Sequence, residues 1–69
     1  MKISARNQLK GTVTSITEGA VNSEVVIEVA PGVEVTAIIT KTSVSNLGLS
    51  VGSTAYAVVK ASNVMVAAE

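Results

Sequence analysis

The chain has 69 residues, 48% of them hydrophobic and 14% charged, and its five Lys/Arg and five Glu residues cancel to a net charge of zero. It contains no Cys, His, Asp, Trp or Phe, which excludes disulfide staples, bare transition-metal sites of the usual His/Cys kind and the His-centred acid–base chemistry common in enzymes. With balanced charge and one aromatic residue, Tyr56, it also lacks the basic, stacking surface that single-stranded nucleic acid requires and the net charge that an anionic membrane attracts.

Taken in chain order, the pattern is mostly period two. Ile3, Ala5, Leu9 and Val13 fall on odd positions and polar residues on most even ones, which predicts a first strand over Ile3–Val13 with one buried face. Ile16 breaks that phase, so a bulge is expected near Thr14–Ser15. Glu18-Gly19-Ala20 reads as a turn. A second strand is expected over Val21–Ala30, with Val25, Ile27 and Val29 inward and Glu24 and Glu28 outward. Pro31-Gly32 is a turn signal, and a third strand follows over Val33–Ile39. The period then changes. Thr40 to Gly48 reads as one short helix, with Thr40 as N-cap, Gly48 as the C-terminal stop, and Val44 and Leu47 packing inward. A fourth strand is expected over Ser53–Ala61 and a short fifth over Val64–Ala67.

This order predicts an all-β chain: a small five-stranded OB-type barrel with one short helix, residues 1–69 forming a single domain, and an SH3-like barrel as the alternative. A core of this size is marginal alone. With disulfides and metals excluded, association is the remaining way to stabilise so apolar a chain, and a homo-oligomer is expected. No apolar signal segment follows Met1 and no stretch nears the ~20 apolar residues of a membrane span, so the expected location is cytoplasmic.

An enzymatic reading has little to build on. Glu24, Glu28 and Glu34 fall on strand faces, where solvation is the ordinary state of a Glu, and no Gly-rich phosphate loop of either standard spacing is present. What remains is hydroxyls, amides and a few cations. Ser4 and Arg6 lie two apart and share a strand face. Thr40 and Ser43 open the short helix, where first-turn N–H groups lack partners. Lys60 ends the fourth strand, before Ala61-Ser62. Such a set suits a tetrahedral oxyanion. On spacing alone the plainer alternative stays open: Thr40 as a simple cap, Arg6 and Lys60 as solvated surface.

Three segments narrow the choice. Ile3-Ser4-Ala5-Arg6-Asn7-Gln8-Leu9, followed by Lys10-Gly11, resembles the opening of the molbindin (Mop) family of molybdate-binding modules. Ile39-Thr40-Lys41-Thr42-Ser43, then Leu47-Gly48-Leu49 and Gly52, resembles its helix segment, and Val59-Lys60-Ala61-Ser62-Asn63-Val64-Met65 its closing motif. The resemblance spans the whole chain and implies a free-standing module that binds molybdate or tungstate between subunits of a homo-hexamer, a trimer of dimers, and catalyses nothing. It implies Ser4, Arg6, Thr40, Ser43 and Lys60 as oxyanion ligands, with the backbone at Ala5 and Ala61 beside them. It also implies a second kind of oxyanion site, for which the loop Gly19, Ala20, Val21, Asn22 and Ser23 is the candidate. Storage and buffering of the oxyanion is the function expected. The alternatives are a carrier of a molybdenum–pterin species, with Tyr56 as its stacking partner, and a non-catalytic interaction module.

Overall fold

Two hairpins and a returning strand build the chain, as seen in a computed structural model that describes residues 1–69. The elements are β1 (Asn7–Glu18), β2 (Asn22–Ala30), β3 (Val33–Thr40), α1 (Lys41–Leu47), β4 (Thr54–Val59) and a single 3-10 turn at Ala61–Asn63. All pairings are antiparallel, in the order β3-β2-β1-β4. At the β2–β3 hairpin Ala30 pairs with Val33, Pro31 sets the first corner, and Gly32 takes the second at φ 74°, a backbone state open to glycine at no steric cost.

The long strand β1 changes partner along its length. Asn7–Thr12 pairs with β4 and Thr12–Glu18 with β2, so the sheet curls into a half-barrel around Thr12. Gly11 sits at this corner. A Cβ there would lie 2.3 Å from the Glu28 carbonyl oxygen and 2.8 Å from Ile27 Cγ2, so only glycine lets the two backbones approach this closely. The expected bulge is present: Val13 opposes Ile27 and Ser15 opposes Val26, leaving Thr14 unpaired with either. The extra residue returns Ile16 to the inner face, where it packs against the core.

That core is small and aliphatic. Val13, Val25, Ile27, Ala55 and Ala57 are buried, with Ile16, Val29, Val35, Ile39, Val44 and Leu49 half-covering them. The inward assignments for β2 therefore hold. The β1 assignments do so only at Val13 and in part at Ala5, because Ile3 and Leu9 are exposed. Ile3 lies outside the ladder. Leu9 pairs with Ala57 where β1 has β4 alone beside it, which leaves it 43% exposed.

The helix forms for the local reasons expected. Thr40 is extended (φ −71°, ψ 152°) and its Oγ1 accepts the Ser43 N–H at 3.0 Å, satisfying a first-turn donor. At the other end Gly48 is left-handed at φ 64°, its N–H donates to the Ser45 carbonyl, and the Leu49 N–H reaches back to the Val44 carbonyl at 3.1 Å. In this six-to-one closure the residue after the glycine packs against the helix residue whose carbonyl it caps. Val44 and Leu49 accordingly lie together on the core, and Leu47, expected inward, is 68% exposed.

Two further expectations are corrected. The first strand begins at Asn7, not Ile3: residues 1–6 lie outside the ladder, with bends at Ser4 and Arg6. The chain forms four strands, not five: Val64–Glu69 has no regular structure and is exposed throughout, Met65 to 94%. A strand at 64–67 has no partner within its own chain, and alternation alone cannot supply one. β3 and β4 are left as unpaired edges. On the concave side between them opens an apolar cleft of about 460 Å³, lined among others by Val25, Ile27, Ala37, Ile39, Tyr56 and Val58. No helix is long and apolar enough to cross a membrane.

Candidate functional site

The first and last thirds of the chain meet at one end of the β1–β4 ladder. Asn7 pairs with Val59 there, so the segment before Asn7 and the segment after Val59 leave the sheet side by side. Between them lies a cleft of about 480 Å³ lined by Ile3, Ser4, Ala5, Arg6, Lys60, Ala61 and Ser62. The turn at Ala61–Asn63, closed by the Asn63 N–H on the Lys60 carbonyl at 2.9 Å, folds the chain back so that Lys60 and Ser62 both border it.

Its chemistry is one-sided. The lining offers a guanidinium, an ammonium and two hydroxyls, and no carboxylate. The chain's one ion pair is elsewhere, between Lys41 and Glu18 at 3.8 Å on the exposed surface, where such pairs contribute little. Arg6 and Lys60 are neutralised by no protein group, and two such cations at one cleft favour an anion between them. Arg6 adds a planar fork of donors suited to the paired oxygens of an oxyanion. The absence of an acceptor carboxylate favours a fully deprotonated anion over one that must donate a proton. At about 480 Å³ the cleft is large for one such ligand. A single chain supplies one wall and leaves the other side to solvent.

Of the residues singled out in the sequence, the structure brings together Ser4, Ala5, Arg6, Lys60 and Ala61. Ser62, which follows Lys60 and Ala61 but is not among the implied ligands, joins them. Thr40 and Ser43 do not line this cleft. They lie at the start of α1, beside the Gly19–Asn22 turn, where Asn22 pairs with Thr40 and the Lys41 N–H donates to the Val21 carbonyl at 2.9 Å. Thr40 Oγ1 also donates to Ser43 Oγ at 2.8 Å, which leaves the Ser43 hydroxyl proton uncommitted. The ligand set implied by the sequence is thus divided within one chain. Its second part adjoins the loop proposed for the second site.

That loop is itself divided. Gly19, Ala20, Val21 and Asn22 are exposed, with the Gly19 N–H on the Asn22 carbonyl at 2.8 Å. Ser23 points inward, is 1% exposed, and its hydroxyl has no hydrogen-bond partner. A buried hydroxyl without a partner costs about 1–3 kcal/mol. Ser23→Ala is therefore expected to raise the urea midpoint of unfolding; a lowered midpoint would mean that the hydroxyl finds a partner in the native assembly.

Comparison with known proteins bears on this geometry. The family model described as the TOBE domain matches residues 3–66. Molybdenum-pterin-binding protein 2 of Clostridium pasteurianum is 50% identical over 68 residues, covering 99% of this chain and the whole of that protein. Among solved structures, a molybdate-binding protein from Sporomusa ovata superposes with a TM-score of 0.91 at 41% identity, covering 99% of this chain and all of its own. The cytoplasmic molybdate-binding protein ModG, in a form with molybdate bound, superposes with a TM-score of 0.89 at 51% identity. That match covers 94% of this chain and 46% of the ModG chain.

Proposed function

Since the chain belongs to the molbindin (Mop) family of TOBE-domain proteins, we propose that it stores and buffers molybdate or tungstate in the cytoplasm, held at subunit interfaces of a homo-hexamer. Its work is binding, not catalysis. The observation that carries the reading is the cleft itself: Arg6 and Lys60 face one space with Ser4 and Ser62, with no carboxylate among the lining residues. The chemistry of that donor set fits a tetrahedral dianion.

The division of the predicted ligands supports a site shared between subunits. Ser4, Ala5, Arg6, Lys60 and Ala61 line one wall; Thr40 and Ser43 lie on another part of the same chain and in this reading would supply the facing wall from a neighbour. Closing the cleft this way excludes water and strengthens each charge-assisted bond. The loop Gly19–Ser23 is the second oxyanion site in this reading, with its exposed residues doing the binding. The surfaces an assembly would cover are present: the unpaired edges of β3 and β4, the apolar cleft between them, and exposed Val64, Met65 and Val66. Covering them would complete the OB-type barrel.

Native mass spectrometry of the protein with molybdate and excess sulfate tests the proposal directly. A hexamer carrying several molybdates and no sulfate is expected. A monomer or dimer, or an assembly that takes up no molybdate, would overturn it. One observation favours a second reading, a molybdenum–pterin carrier: Tyr56 borders the apolar cleft, and close relatives are named for such a ligand. Pterin fluorescence retained through purification would select that reading over free oxyanion.

A further inference from the structure

The anion-facing residues Ser4, Ala5 and Arg6 stand on a segment with no ladder partner. A free segment of this kind wanders, and each residue that must be fixed on binding subtracts from affinity. Two side-chain amides tie it down. Gln8 Nε2 donates to the Ala5 carbonyl at 2.9 Å, bridging back over Arg6 and fixing the bend. Asn7 Nδ2 donates to the Val59 carbonyl at 3.3 Å, across the strand pair and immediately before Lys60. Neither amide lines the cleft. One ties the segment to itself; the other ties its root to the strand that delivers Lys60.

We propose that Gln8, assisted by Asn7, is a positioning residue that holds Ser4–Arg6 in the binding conformation before the anion arrives. The proposal rests on the oxyanion reading of the cleft. It assigns a task to two polar residues that neither cap a helix nor enter the core, on strand positions where alternation alone would leave them as ordinary surface. Replacing the Gln8 amide by a carboxylate removes the donor while keeping the length of the side chain, and sets a negative charge against the Ala5 carbonyl oxygen.

The test uses the full chain with Gln8→Ala and Gln8→Glu, read three ways: thermal midpoint, 15N relaxation of the Ala5 and Arg6 amides without ligand, and calorimetric titration with sodium molybdate. Positioning predicts an unchanged midpoint, greater fast motion at Ala5 and Arg6, and molybdate binding weakened about tenfold in both variants, the equivalent of one ordinary hydrogen bond. Unchanged motion together with weakened binding would overturn the proposal, since Gln8 would then act on the ligand itself. Unchanged motion with unchanged binding would overturn it as well. Should Gln8→Ala lower the midpoint, Gln8→Glu and Asn7→Asp carry the same comparison with the side-chain volume kept. If the wild-type chain binds no molybdate, the oxyanion reading fails on its own; the relaxation data still decide whether Gln8 orders the segment.

Discussion

Arg6→Ala is expected to weaken molybdate binding by about 100-fold, roughly 2.8 kcal/mol, while the thermal midpoint of the empty protein stays where it was. Both halves follow from the same observation. Arg6 is exposed and makes no ion pair or side-chain hydrogen bond within the chain, so its removal breaks nothing that holds the fold. Toward a bound dianion it supplies the one donor group in the cleft that combines full charge with a two-pronged geometry. Truncating one partner of a desolvated charge pair costs about 2–5 kcal/mol, and the estimate lies at the lower end because Lys60 remains. Arg6→Lys separates the two contributions. It retains the charge and loses the fork, so its affinity is expected to fall between those of the wild type and the alanine variant. Titration calorimetry in fixed salt checks all three, and an alanine variant that binds like the wild type would take Arg6 out of the site.

Gly11→Ala carries the largest expected effect on the fold. The added carbon would meet a backbone oxygen at 2.3 Å and a methyl group at 2.8 Å. A side chain at such a distance can rotate away, but the Glu28 carbonyl is part of the sheet and cannot. Forcing extra volume into a packed place costs about 1–3 kcal/mol where neighbours can shift, and more where the neighbour is backbone. A domain of this length has only about 3–10 kcal/mol in total, at roughly 0.05–0.15 kcal/mol per residue. The variant is expected to lose most of its cooperative thermal transition by circular dichroism. A melt like that of the wild type would show that the corner where β1 leaves β4 for β2 is softer than its geometry implies.

Local chemistry made much of this readable from the residues. Thr40 and Gly48 bounded the helix because a cap needs a hydroxyl at one end and a left-handed residue at the other. Val25 and Ile27 declared their face because Glu24 and Glu28 declared the opposite one. Ile16 announced the bulge by falling out of phase. What alternation could not provide was what stands behind a face. Leu9 has the spacing of a core residue and stays exposed because only one strand flanks it there. Val64–Ala67 has the composition of a strand and no partner in its own chain. The candidate site was legible to the same extent: the motifs named Ser4, Arg6 and Lys60, and the pairing of Asn7 with Val59 explains why they meet. That Thr40 and Ser43 would lie apart from them is a matter of topology. Ser62, Asn7 and Gln8 were present in those motifs without any chemical mark to distinguish them from neighbouring polar residues.

The cleft draws its walls from the two extremities of the chain, joined below by a bond between residues 52 positions apart. In the oxyanion reading, an anion gripped by both Arg6 and Lys60 would act as a reversible clasp on a chain with no cysteine to form a covalent one. Only the folded chain presents the two halves of the clasp together, so occupancy shifts the folding equilibrium toward the native form by RT ln(1 + [L]/Kd), about 2.7 kcal/mol when the free anion is at 100 times its dissociation constant. A cell rich in the oxyanion would thus hold a sturdier population of this protein than a starved one, with the cargo setting the lifetime of its own container.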